Sequence, residues 1–121
     1  MAKIEAITDM AQWQKLWEQS KAADAPAVLI FKRSQICPTS HFAEGIFNHY
    51  ISSLKEAPNL KIYSVDVIAA RPVSRQIAAD TGIEHESPQA LLIKGDRKVA
   101  WNASHGDIDE DALKQHVPAA E

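Results

Sequence analysis

Five consecutive apolar residues, Ala27-Val28-Leu29-Ile30-Phe31, run straight into the charged pair Lys32-Arg33. The run is too short to cross a bilayer and reads as a strand over 27–32 that is buried on both faces. A strand buried in this way needs helices on both sides of its sheet, which points to an α/β layer structure. Composition agrees with a folded chain: 121 residues, 45% hydrophobic and 24% charged. At this length one core forms without metals or disulfides.

The rest of the chain supplies the elements such a sheet requires. A short edge strand is expected over 3–7. Thr8 and Asp9 then cap a helix in which Met10, Trp13, Leu16 and Trp17 recur at helical spacing to about Ser20. A second helix is expected to begin at Cys37 with Pro38 in its first position, where a missing N–H costs nothing. Phe42, Ile46, Phe47, Tyr50, Ile51 and Leu54 make its inner stripe, and it stops before Pro58. A strand over 60–67 packs Ile62, Val65 and Val67. Pro72 opens a helix over 73–80 that ends at Thr81-Gly82. Pro88 leads into a strand over 89–94, and Gly95-Asp96 turns it into a partner over 98–103. Asp107, Asp109, Glu110 and Asp111 crowd the start of a last helix that ends near His116, where acidic side chains complement the helix dipole. The predicted order is a βαβ unit, a helix, a β-hairpin and a closing helix. That is a thioredoxin-like arrangement: one domain over 1–121, with a central mixed sheet flanked by helices.

Cys37 is the only cysteine. A disulfide within the chain, a CxxC redox pair and a four-cysteine zinc site are all excluded, and a reducing cytoplasm is the expected setting. Any sulfur that joins Cys37 must come from another molecule. The segment Cys37-Pro38-Thr39-Ser40 lies between a buried strand and a helix. The free N–H groups of a first helical turn, together with the helix dipole, favour thiolate over thiol. Lys32 and Arg33 add positive charge upstream. Ser40 occupies the place where a dithiol enzyme carries its second cysteine; its hydroxyl is expected to hydrogen-bond the thiolate, but it cannot resolve a mixed disulfide. Ser87-Pro88, leading into a strand across from the nucleophile loop, is the expected place for a cis peptide bond, with the Ser87 backbone left open to an extended substrate.

Other features carry less chemistry. His41, His85 and His105 show no HxxxH or HxH spacing, so no metal site is expected. Trp13, Trp17 and Trp101 are expected in the core or at an interface. The net charge of −3 provides no footprint for nucleic acid or an anionic membrane, and the N-terminus has no apolar signal core.

Three segments together resemble the YtxJ-type monothiol bacilliredoxins: Phe31-Lys32-Arg33-Ser34-Gln35-Ile36-Cys37-Pro38-Thr39-Ser40, His85-Glu86-Ser87-Pro88-Gln89-Ala90-Leu91-Leu92-Ile93 and Trp101-Asn102-Ala103-Ser104-His105-Gly106-Asp107-Ile108. The resemblance runs over nearly the whole chain. It implies a thioredoxin-like fold and an enzyme that removes bacillithiol from mixed disulfides on client proteins. In that reading Cys37 is the nucleophile and Pro88 the cis proline; from their positions alone, Lys32, Pro38, Ser40 and Ser87 are expected to support or bind substrate. It also implies no tightly bound cofactor, with bacillithiol or a related low-molecular-weight thiol as co-substrate and S-thiolated proteins as partners. The family usually has Thr before the cysteine and Ile two after it; here Ile36 and Thr39 stand there. Three other readings stay open: a glutathione-linked enzyme, an iron–sulfur carrier and a non-catalytic adaptor. Against the first, glutaredoxin-like chains usually carry a Gly-Gly pair after the cis-proline strand, and this chain has none.

Overall fold

Residues 3–54 and 59–117 are described by a computed structural model. Strand β1 (Ile4–Ala6) precedes helix α1 (Met10–Gln19), and β2 (Ala27–Arg33) precedes α2 (Pro38–Ser53). Then follow β3 (Leu60–Asp66), α3 (Arg71–Thr81), β4 (Gln89–Lys94), β5 (Lys98–Ser104) and α4 (Glu110–His116). The five strands form one mixed sheet in the order β1-β3-β2-β4-β5. β1 and β2 both run parallel to β3, whereas β2 pairs antiparallel with β4 and β4 with β5.

Alternation along β2 divides the core in two. Leu29 and Phe31 face Phe47, Tyr50 and Ile51 of α2 and Leu113 of α4, and the Phe31 and Phe47 rings stack at 4.6 Å. Val28 and Ile30 face the other way, into a cluster with Trp13, Leu16, Val73 and Ile77 from α1 and α3. Each side chain on this period-2 pattern is thereby removed from water by one helical layer or the other.

The helix ends follow local chemistry. Asp9 caps α1 by accepting from the Gln12 N–H at 2.8 Å, and the Gln12 side chain returns a bond to the Asp9 N–H, a complete capping box. Asp109 caps α4 in the same sense through the Ala112 N–H. Gly82 ends α3 in the left-handed region at φ 74°, where a side chain would be strained.

The structure differs from the sequence reading in several places. Phe42, assigned to the inner stripe of α2, is 72% exposed, and Ala43 takes the buried position beside it. Val67 lies beyond the end of β3 and is only half-buried, its N–H bonded to the Arg33 carbonyl. β2 extends one residue further, through Arg33, and α3 starts at Arg71 with Pro72 second. α2 ends at Ser53, while Pro58 lies outside the described residues. β4 and β5 are joined by a 3-10 turn over Gly95–Arg97, with Asp96 and Arg97 at positive φ, and a register shift at Leu92/Ile93.

That turn docks on the connection between α1 and β2. The Asp96 N–H bonds the Ala22 carbonyl at 3.1 Å, and the Arg97 N–H bonds the Ser20 carbonyl at 2.9 Å. Gly95 lies so close that a methyl group on it would overlap the Ala23 carbonyl. Gly95→Ala should therefore cost about 1–3 kcal/mol, the usual range for overpacking against rigid atoms. Gly45→Ala, in α2 with open space around it, should instead stabilise by about 1 kcal/mol. Urea unfolding of the two variants checks both signs, and equal effects would rule out the close approach at Gly95.

Candidate active site

The three segments singled out in the sequence meet at one end of the sheet. Lys32 of β2 pairs with Gln89 of β4, and Gln89 pairs with Ser104 of β5. The Pro88 carbonyl accepts from the His105 N–H at 3.1 Å, and the Ser87–Pro88 peptide is cis. Arg33 pairs with Asp66 at the end of β3. The loop carrying Cys37 therefore emerges between the β3–α3 connection on one side and Pro88 on the other.

Cys37 is the N-cap of α2, in extended conformation, with Pro38 at the first helical position. Its thiol is free and partly exposed. The N–H groups of the first turn that find no helical partner lie at the cap position, and the Cys37 side chain makes no capping hydrogen bond to them. Ile36, 81% exposed, and Phe42, 72% exposed, leave apolar surface on both chain sides of the nucleophile. His41 reaches back with its Nε2 to the Gln35 carbonyl.

Ser40 is placed differently from expectation. It is buried, and its hydroxyl accepts a hydrogen bond from the Ser34 N–H at 2.8 Å. Its hydroxyl oxygen is thereby bonded to the backbone of the loop. A serine one turn into the helix can cross the loop because residues 34–37 fold back over the helix start. Ser40 thus braces the nucleophile loop.

A second brace went unrecognised in the sequence. Arg33 pairs with Glu44 of α2 and, at 3.7 Å, with Asp66. Asp66 Oδ2 also accepts from the Gln35 amide at 2.6 Å, and its Oδ1 accepts from the Ile68 and Ala69 N–H groups at 3.0 Å each. The Ala69 N–H, helped by Ile68, Gln35 and Arg33, holds the Asp66 carboxyl below its ordinary range. The available signal was an aspartate at a strand end followed by a tight connection, a pattern that favours side-chain bonding to backbone N–H groups.

Lys32 also departs from its expected role. Its side chain is fully buried on the α1/α3 side of the sheet. The ammonium donates to the Ser74 carbonyl at 3.0 Å and lies 3.3 Å from His85 Nδ1, which is 3.1 Å from the Ser74 hydroxyl. Among the described residues it has no ion-pair partner, and burial lowers its pKa to about 8. Burial, reinforced by the Lys32 and Arg75 charges, likewise lowers His85 from its ordinary value, with Glu86 opposing. Ser87 and Gln89 each hold a buried side-chain oxygen, Oγ and Oε1, that has no protein partner among the described residues. The histidines do not converge: His105 faces Glu86 at 3.8 Å, His85 faces Lys32, and His41 faces the loop. Trp13 is in the core and stacks on Trp17, while Trp101 stacks on His116.

Comparison with known proteins bears directly on this arrangement. The family model for BrxC, the monothiol bacilliredoxin, matches residues 5–113. The chain belongs to the monothiol bacilliredoxin family. A solved thioredoxin-fold protein, described as a suspected oxidoreductase, is 29% identical with a TM-score of 0.75, covering 95% of this chain and 94% of that one. Thioredoxin from Nicotiana alata is 17% identical with a TM-score of 0.69, covering 95% and 93%. Thioredoxin from Malassezia sympodialis is 18% identical with a TM-score of 0.66, covering 96% and 92%. The fold is that of thioredoxin, and the family and its fold neighbours make this bacilliredoxin a thiol oxidoreductase. No helix among the described residues is long and apolar enough to cross a membrane.

Two predictions arise from the braces and the buried lysine. Ser40→Ala strands the buried Ser34 N–H, so urea unfolding should show a loss of about 1–3 kcal/mol; an unchanged midpoint would mean that the brace carries no load. Lys32 offers a test in pH. Because its folded pKa is about 8 against 10.5 for the ordinary group, the unfolded chain binds more protons between those values, and stability rises with pH across that interval. At about 1.4 kcal/mol per unit, carrying the charge inward costs about 3 kcal/mol at neutral pH. Wild type should gain about 2 kcal/mol between pH 7.5 and 9.5, and Lys32→Met should lose that gain. Parallel pH profiles in the two proteins would exclude the buried ammonium as its source.

Proposed function

We propose that the protein removes bacillithiol, or a closely related low-molecular-weight thiol, from mixed disulfides on S-thiolated client proteins. The observation that carries this reading is a single sulfur at the cap of α2, with a serine, Ser40, where a dithiol enzyme carries its second cysteine. In the forward step the Cys37 thiolate attacks the sulfur of the carried thiol. A new S–S bond forms between Cys37 and that thiol, the old S–S bond breaks, and the electron pair leaves with the client sulfur as thiolate. The client is reduced and Cys37 is left S-thiolated. Because no second cysteine exists in the chain, an external thiol attacks the adduct next; it forms a disulfide with the carried thiol and returns Cys37 as thiolate.

The surroundings fit these steps. Ile36 and Phe42 give a client an apolar surface beside the nucleophile, and the Ser87 backbone before the cis proline is positioned for pairing with an extended segment. The cytoplasm is the compartment in which such a thiol cycle and a free Cys37 are compatible. Ile36 and Thr39, in place of the usual Thr and Ile, alter the polarity next to the sulfur and bear on which thiol is preferred.

The test is intact mass after mixing purified protein with a bacillithiolated single-cysteine peptide and, separately, with its glutathionylated counterpart. Wild type should gain the mass of one bacillithiol while the peptide appears as free thiol, and Cys37→Ser should show no transfer above background. Faster transfer from the glutathionylated peptide would move the enzyme to glutathione. No adduct from either peptide would sink the catalytic reading.

A further inference from the structure

A hollow of about 200 Å³ lies between the first two turns of α3, the β3–α3 connection and the segment that leads to Pro88. Its walls are Val67, Ile68, Arg71, Ser74, Arg75 and His85. The two arginines around it are exposed to solvent and carry charge of one sign. Arg71 and Arg75 are four residues apart on one helix face, where like charges repel. Both stand in the first turns of α3, the end at which cations are unfavourable, and that first turn contains no acidic residue. Neither guanidinium has a carboxylate within ion-pair distance among the described residues. Behind Ser74 lies the Lys32 ammonium, fully buried and also without an acid. Glu86 is the nearest acidic influence on His85, and it is shared with His105.

Uncompensated positive charge gathered around a small hollow calls for an anion. We propose that this hollow receives the carboxylate end of the low-molecular-weight thiol that Cys37 takes from its client, with Arg71 and Arg75 as the anion-binding side chains. Its place in the fold favours this occupant. The Val67 N–H is bonded to the Arg33 carbonyl, and Asp66 ties the same connection to Gln35, within two residues of Cys37. The opposite wall, His85, is three residues from the cis proline. The β3–α3 connection that forms one wall therefore borders the nucleophile loop, and the acid end of a thiol tethered at Cys37 would lie along it. A hollow of 200 Å³ admits a carboxylic acid fragment and excludes a folded client surface. Val67 and Ile68 supply an apolar side against which the thiol's carbon frame can lie, and the guanidiniums offer paired N–H donors matched to carboxylate oxygens.

The inference rests on the proposed thiol transfer, and its test separates the two. Adduct formation on Cys37 is timed by intact mass with one peptide carrying bacillithiol, glutathione or uncharged 2-mercaptoethanol, using wild type and the Arg71→Gln/Arg75→Gln double variant. The quantity read is the rate with an acid-bearing thiol divided by the rate with 2-mercaptoethanol. In wild type it should exceed one, and in the variant it should fall by about tenfold, the effect of losing charge-assisted bonds partly screened by water. The variant should also melt at the same temperature as wild type or higher, because repulsion has been relieved. A ratio that does not change overturns the proposal, whether the separate rates hold or drop together. An arginine-dependent ratio with glutathione and no adduct from bacillithiol would keep the anion site and remove bacillithiol as the substrate. No adduct from any of the three thiols would overturn both.

Discussion

β2 pairs in parallel with β3 and antiparallel with β4, and that double pairing positions everything at the chemical end of the molecule. Where β2 ends, β3 ends beside it and β4 begins. Three chain segments far apart in sequence are consequently delivered to one sheet edge: the Cys37 loop, the connection to α3, and the residues before the cis proline. The parallel pairing with β3 also brings Asp66 beside Arg33, so one carboxylate can gather the Arg33 guanidinium, the Gln35 amide and two backbone N–H groups. The loop that presents the thiol is held from below by this acid and from inside by Ser40.

Much of this was legible in the sequence. The apolar run at 27–31 implied a strand buried on both faces, Thr8-Asp9 marked the cap of α1, and the acidic cluster from Asp107 to Asp111 marked the start of α4, within which Asp109 is the capping residue. Pro38 marked the helix start at Cys37, and Gly82 marked the end of α3. What the sequence obscured is equally physical. Phe42 has the spacing of a core residue, but the buried stripe of α2 runs through Ser40, Ala43, Phe47, Tyr50 and Ile51 and leaves Phe42 on its open flank. Ser40 is short and polar, and only the fold-back of residues 34–37 reveals that its hydroxyl serves the loop.

Lys32 was the hardest residue to read. Its charge suggested the end of a buried strand, yet alternation with Val28 and Ile30 places it on the α1/α3 face, under Ser74 and His85. Period-2 geometry has no regard for charge. A residue in register with the core is taken inward, and its ammonium must find whatever polar atoms are there. The His85 ring and the Ser74 carbonyl, neither of which stood out as a partner in the sequence, are those atoms.

The close approach of Gly95 to Ala23 lies at the other end of the same strands, beyond Lys94 of β4 and before Ala27 of β2. Along the strand axis, the molecule therefore separates a tightly fitted end from an end rich in unpaired charge and exposed apolar surface. Substitutions around Cys37 can change substrate preference without disturbing the contact that locks the hairpin to the α1–β2 connection. Such a layout leaves the thiol chemistry and the architecture subject to different steric constraints.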